Sequence, residues 1–358
     1  MKLNKLSIEF EEQDMFFLKK YGRIKAQVKV RRHYKTYKTP FIFDVYQLAH
    51  IVGLSRRTVF SLSKKANTHY KLIILRKKSG GFRLLHAPDS ELKSIQTKIL
   101  EKILNKFPVS EFATAYVKGK SLSDNAAPHI NHKHLLKMDI TDFFGNITYL
   151  QVISSAFNSK MYPPQIGAIL TSLCCFDEVL PQGAPTSPML SNIVMKSFDD
   201  AIGHWCKKRG ITYTRYCDDL TFSADIPLYS VYLKVSEMLA RRGFEVNKSK
   251  TKFVTNTAAQ MVTGLTVNEK VSIPRDYKAT LRQEVYYALK FGIADSILKG
   301  NKTEYIKDGI ADVRAYYNHL KGKMIYVLGI ESDNRWFKEA KDRLEAKFLI
   351  EIKMTQCT

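Results

Sequence analysis

The chain of 358 residues is 45% hydrophobic and carries 57 Lys and Arg against 34 Asp and Glu, a formal net charge of +23. That describes a folded protein whose field favours a polyanion, with nucleic acid ahead of an anionic membrane surface. No run approaches the roughly 18 apolar residues of a membrane span, Glu11, Glu12 and Asp14 spoil a signal-peptide reading, and five cysteines lack paired C-x-x-C spacing, so a soluble cytoplasmic protein with reduced thiols is expected rather than a disulfide or zinc framework.

The first forty residues mix basic and aromatic side chains and end at Pro40. After them, FIFDVYQLAHIVGLSRRTVFSLSKKA predicts two short amphipathic helices joined at Gly53-Leu54-Ser55. The pair looks like a helix-turn-helix, although plain packing accounts for most helical hairpins. YKLIILRKKSGGFRLLHAP alternates around Ser79-Gly80-Gly81, the composition of a β-hairpin. Between Ser90 and Phe107, Leu92, Ile95, Ile99, Ile103 and Leu104 recur at helical spacing.

HLLKMDI predicts a strand ending near Asp139, and Thr148 with Gln151 forms a capping box for a helix to about Phe157. Ser187-Pro188 starts a helix whose predicted buried stripe is Leu190, Val194, Phe198, Ala201 and Trp205, with Gly210 ending it. ITYTRYCDDLTFSAD reads as two β arms around Asp218-Asp219, followed by a helix through Leu239 and a turn at Gly243. FVTNTAAQMVTGLTV adds shorter strands, and beyond Pro274 basic helices are predicted near 276–291, 303–320 and 333–350.

The chemistry concentrates in carboxylates. Asp139 closes one apolar strand and Asp218-Asp219 occupies the bend between two others, so folding can gather all three at one sheet edge. An Asp-Asp pair by itself is an ordinary solvated turn; the flanking apolar arms and the upstream Asp139 change that reading. Clustered carboxylates suit Mg²⁺, which shares its octahedral sphere with water and substrate phosphates. Two such ions about 4 Å apart would activate a hydroxyl and stabilise a pyrophosphate leaving group.

Asp139, the LPQGAPTSP segment and Tyr216-Cys217-Asp218-Asp219, in that order, resemble the palm of reverse transcriptases, with similarity from about Leu72 to Leu265. The resemblance implies an α+β right-hand polymerase: an N-terminal helical extension over 1–69, fingers over 70–134, a palm over 135–265 and a basic helical thumb over 266–358. It implies that Asp139, Asp218 and Asp219, with the Ile140 carbonyl, hold two Mg²⁺ ions. By the same resemblance Phe144 is the bulky gate against a ribose 2′-hydroxyl and Gln182 lies against the incoming nucleotide. Lys77 and Arg83 grip the triphosphate, and Lys250 is the acid that protonates pyrophosphate, with Lys248 and Lys252 close in sequence as rivals.

Asn125-Ala126-Ala127-Pro128-His129 and Val262-Thr263-Gly264 match the NAxxH and VTG elements of bacterial retron reverse transcriptases. The family implies that Asn125, His129, Val262, Thr263 and Gly264 help recognise a cognate noncoding RNA, and that the thumb reads an RNA stem. It further implies dNTP substrates, priming from a guanosine 2′-hydroxyl, a branched RNA–DNA product called msDNA, and an antiphage role with a separately encoded effector protein. No RNase H-like sequence is visible after the thumb, so a cellular RNase H is expected to trim the template. Two departures stand out: Cys217 replaces the alanine usual in the YADD turn, and Ala115-Tyr116 stands where Gly-Phe is frequent. The rival readings are another bacterial reverse transcriptase, of the group II intron, diversity-generating or abortive-infection type, and a nonenzymatic nucleic-acid-binding protein.

Overall fold

The computed structural model describes residues 33, 35–36, 39–76, 80–307 and 309–356. The chain divides into two units, one made of Met1–Lys120 with Leu136–Phe253 and the other of Ser121–Leu135 with Val254–Thr358. The mixture of helices and sheets is the α+β class expected. Among the described residues no helix is long and apolar enough to cross a membrane.

In the first unit, α1 (Val45–Val52) and α2 (Arg56–Lys65) form the expected helical pair, each started by a side chain that accepts from the backbone. Asp44 accepts from the Gln47 amide at 3.0 Å and Ser55 from the Thr58 amide at 3.1 Å, which satisfies donors that a helix start leaves open. The glycine hairpin is also present: β1 (Tyr70–Arg76) pairs antiparallel with β2 (Phe82–Pro88), Tyr70 opposite Pro88 and Arg76 opposite Phe82. Its Leu72, Ile74, Phe82 and Leu84 are exposed. In α3 (Ser90–Lys102) and the short turn after it, Leu92, Ile95, Ile99, Ile103 and Leu104 are all fully buried, as their spacing requires.

The site-bearing sheet runs β4–β5–β3–β6, with β3 at His134–Asp139, β4 at Thr212–Tyr216, β5 at Asp219–Ala224 and β6 at Lys252–Thr255. The helices α4 (Tyr149–Ala156), α5 (Pro164–Cys174), α6 (Ser187–Lys207) and α7 (Tyr229–Ala240) complete the unit, α4 beginning with the expected capping box between Thr148 and Gln151. The long helix α6 packs against β4. Its buried face differs from the predicted stripe: Leu190, Ile193, Phe198, Ile202 and Cys206 are inside, Val194 and Trp205 are only half-buried and Ala201 is exposed. The reason is polar. The helix turns Asn192 and Asp199 inward, both fully buried, to meet an arginine on β4.

The second unit is helical. Its helices are α8 (Arg275–Phe291), α9 (Ile293–Lys299), α10 (Val313–Ile330) and α11 (Arg335–Gln356), packed around Leu281, Val285, Ile297, Leu320, Met324 and Phe337. The helix expected over 303–320 starts ten residues late. Thr303–Tyr305 is a single 3₁₀ turn, and Ile306–Lys307 pairs with Ile310–Ala311 as a small ribbon. Gly309 takes the left-handed conformation the ribbon turn needs (φ 78°), and Asp312 accepts from the Ala315 amide at 2.9 Å to set the true start. The short helix Leu122–Ala126 and the hairpin of β7 (Met261–Val262) and β8 (Leu265–Thr266) belong to this unit too.

Candidate active site

Backbone hydrogen bonds bring three distant segments together at the end of β3. The Ile140 amide donates to the Asp218 carbonyl at 3.0 Å, and the Asn247 amide donates to the Asp139 carbonyl at 2.8 Å. Asp139 is thereby tied both to the Asp218-Asp219 bend and to the segment that carries Lys250. Between β4 and β5, Tyr216 pairs with Asp219, so Cys217 and Asp218 alone make the turn. Cys217 has φ 60°, a conformation costly for a residue with a Cβ, and two-residue hairpin turns demand positive φ at their first central position.

The surroundings hold that turn in place. Arg215 is fully buried, and its guanidinium lies 2.6 Å from Asp199 Oδ2, with a second bond from Nε to Asp199 Oδ1 at 2.9 Å. From there Arg215 Nη1 donates to the Cys217 carbonyl at 2.9 Å and Nη2 to Asn192 Oδ1 at 3.1 Å. The Tyr213 hydroxyl adds a bond to Asp199 Oδ1 at 2.8 Å. On the other side of the turn the Tyr116 hydroxyl donates to Cys217 Sγ at 3.2 Å. Burial, reinforced by Asp218, pushes the Cys217 thiol up to about 12, so the sulfur is a neutral thiol that accepts this bond.

The acids themselves are under electrostatic pressure. Burial holds the Asp139 carboxyl above the usual carboxylate range, with Asp218 adding to the rise and Lys250 partly offsetting it. Asp219 is raised for the same first reason, and then by Asp218. Lys250 Nζ sits 3.0 and 2.9 Å from the two Asp139 oxygens, and this bond raises the ammonium pKa. A positive charge is already accommodated at that carboxylate.

An open cleft of about 1220 Å³ is lined by Asp139, Ile140, Asp218, Asp219 and Lys250 together with Arg83, Phe144 and Gln182. Arg83 is exposed on β2 and Phe144 is half-buried. The Gln182 carbonyl accepts from the His86 amide of β2 at 2.8 Å. Next to it Gly183 has φ 128°, and a Cβ there would stand 2.9 Å from the His86 carbonyl oxygen, so only glycine permits this approach of loop to hairpin. Lys77 lies outside the described residues.

Among the described residues no three His, Cys, Asp or Glu side chains close into a cage for a metal by themselves. Mg²⁺ does not need one, since it commonly takes one or two carboxylates and completes its sphere with water and substrate phosphates. Anionic oxygens that repel one another, and one that already carries an ammonium, fit that ion.

Asn125, His129, Val262, Thr263 and Gly264 lie in the second unit. The structure brings the two strings together: Asn125 Nδ2 donates to Thr263 Oγ1 at 3.5 Å, and Thr263 and Gly264 form the β7–β8 turn with φ 47° and 83°. Asn125, His129 and Val262 are buried, whereas Gly264 is exposed. Burial, with His132 adding, pushes the His129 imidazole down to about 3.

Sequence reasoning missed Asn192, Asp199 and Arg215, and marked Tyr116 only as a departure from the family pattern. The available signal was polar: Asn192 and Asp199 lie seven positions apart, on one helix face, and an arginine interrupts the apolar arm TYTRY.

Residues 75–289 match the family model described as reverse transcriptase (RNA-dependent DNA polymerase). The chain is 33% identical over 313 residues to the retron Mx65 reverse transcriptase of Myxococcus xanthus, covering 82% of this chain and 69% of that protein. It is 30% identical over 298 residues to the retron Ec86 reverse transcriptase of Escherichia coli, covering 82% and 86%. A solved Candida albicans telomerase structure aligns with TM-score 0.41 at 12% identity, over 77% of this chain and 63% of that one, a level too low to bear on function. With a palm-like sheet presenting its acids to one cleft, an α+β right-hand polymerase architecture and this kinship, the chain belongs to the reverse transcriptase family, among the bacterial retron enzymes, and is an RNA-directed DNA polymerase.

Proposed function

We propose that this polymerase copies a cognate structured noncoding RNA from a guanosine 2′-hydroxyl of that RNA, giving branched msDNA. The convergence of Asp139, Asp218, Asp219, Lys250, Arg83, Phe144 and Gln182 on one cleft carries the assignment of the site. Reverse transcriptases work with divalent metal ions; here Asp139, Asp218 and Asp219, with the Ile140 carbonyl, would hold two Mg²⁺, which supply activation of the attacking hydroxyl and neutralisation of pyrophosphate. Arg83, with Lys77, clasps the triphosphate of an incoming dNTP, the arginine bidentately and the lysine as a point charge. Phe144 fills the space a ribose 2′-hydroxyl would need, and Gln182 lies against the nucleotide. Lys250, kept charged by Asp139, has a proton to give to the leaving pyrophosphate.

The fingers then span 70–134, the palm 135–265 and the thumb 266–358, with 1–69 as an extension. Recognition of the RNA falls to the Thr263-Gly264 turn, where Gly264 is exposed and Thr263 half-buried, with Asn125, His129 and Val262 supporting it from inside, and to the thumb. On α8, Tyr286, Tyr287 and Phe291 are exposed and Lys290 lies 5.4 Å and 5.2 Å from the Tyr286 and Phe291 ring centres, a surface suited to bases and phosphates. The msDNA complex acts in antiphage defence with a separately encoded effector.

Incubation with cognate RNA, Mg²⁺ and dNTPs is expected to yield DNA joined to the RNA through a 2′ linkage, and EDTA or Asp218→Ala is expected to abolish it. Absence of product from active wild-type protein, or equal product from the variant, overturns the mechanism. Sequencing nucleic acid that copurifies with the protein identifies the RNA. Phage resistance that survives deletion of the whole locus overturns the defence role.

A further inference from the structure

A closed circuit of hydrogen bonds surrounds the Cys217-Asp218 turn. Asn192 Nδ2 donates to the Ala115 carbonyl at 2.8 Å, and Arg215 Nη2 donates to Asn192 Oδ1 at 3.1 Å. Arg215 Nη1 reaches the Cys217 carbonyl at 2.9 Å. The Tyr116 hydroxyl closes the ring on Cys217 Sγ at 3.2 Å. The segment that carries Tyr116 is clamped to β4 by the backbone, the Arg215 amide donating to the Phe112 carbonyl at 2.8 Å and the Thr114 amide to the Arg215 carbonyl at 2.9 Å. Three links of the circuit are buried; the fourth, between phenol and thiol, faces the cleft that both residues line.

Two features show that Tyr116 is not placed for packing. The residue is 48% exposed, so the ring recovers only part of the burial energy an aromatic offers. Its backbone is left-handed, φ 60°, like that of Cys217, and such conformations persist where surrounding structure enforces them, often at functional sites. What remains is the hydroxyl. Its partner is the residue immediately before Asp218 in the turn.

We propose that Tyr116 is a positioning residue for polymerisation, its phenol holding the Cys217 side chain so that the left-handed turn keeps Asp218 where the reaction needs it. This rests on the reading of Asp218 as a metal-holding catalytic acid. Misplacement of a reacting constellation by a fraction of an ångström lowers turnover while leaving substrate affinity intact.

The test is single-nucleotide extension of a DNA primer on an RNA template with Mg²⁺ and dNTP, read as kcat, KM and the amplitude of the first turnover for Tyr116→Phe, Cys217→Ala, the double variant and Cys217→Ser. Each of the first two is expected to lower kcat by about 2- to 10-fold, the range of one hydrogen bond, with KM for dNTP and amplitude unchanged. The double variant is expected to be no slower than the slower single one, and Cys217→Ser, which keeps an acceptor, to be faster than Cys217→Ala. Multiplicative losses in the double variant, wild-type rates in the singles, a raised KM with kcat kept, or a lost amplitude with the rate kept would each overturn it. Asp218→Ala in the same assay separates the two levels: activity that survives there sinks the catalytic-acid reading, whereas its loss beside an unaffected Tyr116→Phe sinks only the positioning role.

Discussion

Two acidic neighbourhoods adjoin the same hairpin and are built on opposite principles. Asp199 is fully buried and well answered: Arg215 meets it through two nitrogens, Tyr213 donates a further bond, and the arginine also donates to Asn192 and the Cys217 carbonyl. Asp139, Asp218 and Asp219 border open space and repel one another; the largely exposed Lys250 is hydrogen-bonded to Asp139, and Lys137 adds a second nearby positive charge. A buried charge that is fully paired gives a frame with one geometry, and removing one partner is expensive. A cluster of like charges left under tension gives a place for a cation and for substrate phosphates. The first neighbourhood fixes the turn; the second uses it.

Substitutions should therefore split cleanly between stability and chemistry. Asp218→Ala is expected to lower polymerisation by on the order of 10³-fold while the melting temperature in metal-free buffer stays level or rises, because a repulsive charge has gone. A clear drop in the melting temperature of this variant would erase the contrast. Arg215→Met leaves Asp199 buried without its partner and is expected to cost about 3–5 kcal/mol in urea denaturation. A loss below about 1 kcal/mol would mean that the buried pair is not the frame. Gly183→Ala tests how the LPQG loop is held against β2: a Cβ at φ 128° and 2.9 Å from the His86 carbonyl should cost about 1–3 kcal/mol and raise KM for dNTP.

The smallest effect sharpens the comparison from the second unit, where a titratable group is buried without charge. His129 is held down to about 3 by burial, whereas an unfolded imidazole titrates near 6.5. Between those values the unfolded chain takes up a proton that the folded chain refuses. Stability present above about pH 6.5 is thus lost as pH falls toward 3, at up to about 1.4 kcal/mol per pH unit. Denaturation at about pH 7 and about pH 5.5 should differ by roughly 1 kcal/mol from this group, and the difference should shrink in His129→Gln. His33, lowered to about 4 by burial, contributes in the same direction and would remain in that variant.

Much of the site was legible because its chemistry is written in short strings. Asp139, the Asp218-Asp219 bend, Gln182 in its glycine-bearing loop and Arg83 after the glycine hairpin each stand in a local pattern of alternation or turn residues, and all line the cleft. What escaped was the support. Arg215 reads as an interruption of a strand, and Asn192 and Asp199 read as the solvent side of a helix, until the bonds each accepts from Arg215 turn that face inward. The misplaced stripe on α6 and the late start of α10 have one origin: a polar side chain, Asp199 in one case and Asp312 in the other, found a partner that no periodicity announces.

From its sequence alone this protein had most of its element types, the apolar face of helices such as α3 and the identity of its acids determined, since backbone geometry and hydrophobic spacing act over a few residues. Tertiary structure alone decided that Tyr116 and Cys217 touch, that Asn125 meets Thr263, and that Arg215 and Asp199 lie paired in the interior. Such choices depend on which distant groups can satisfy one another once water is excluded, and a buried charge or hydroxyl takes whatever partner the fold delivers.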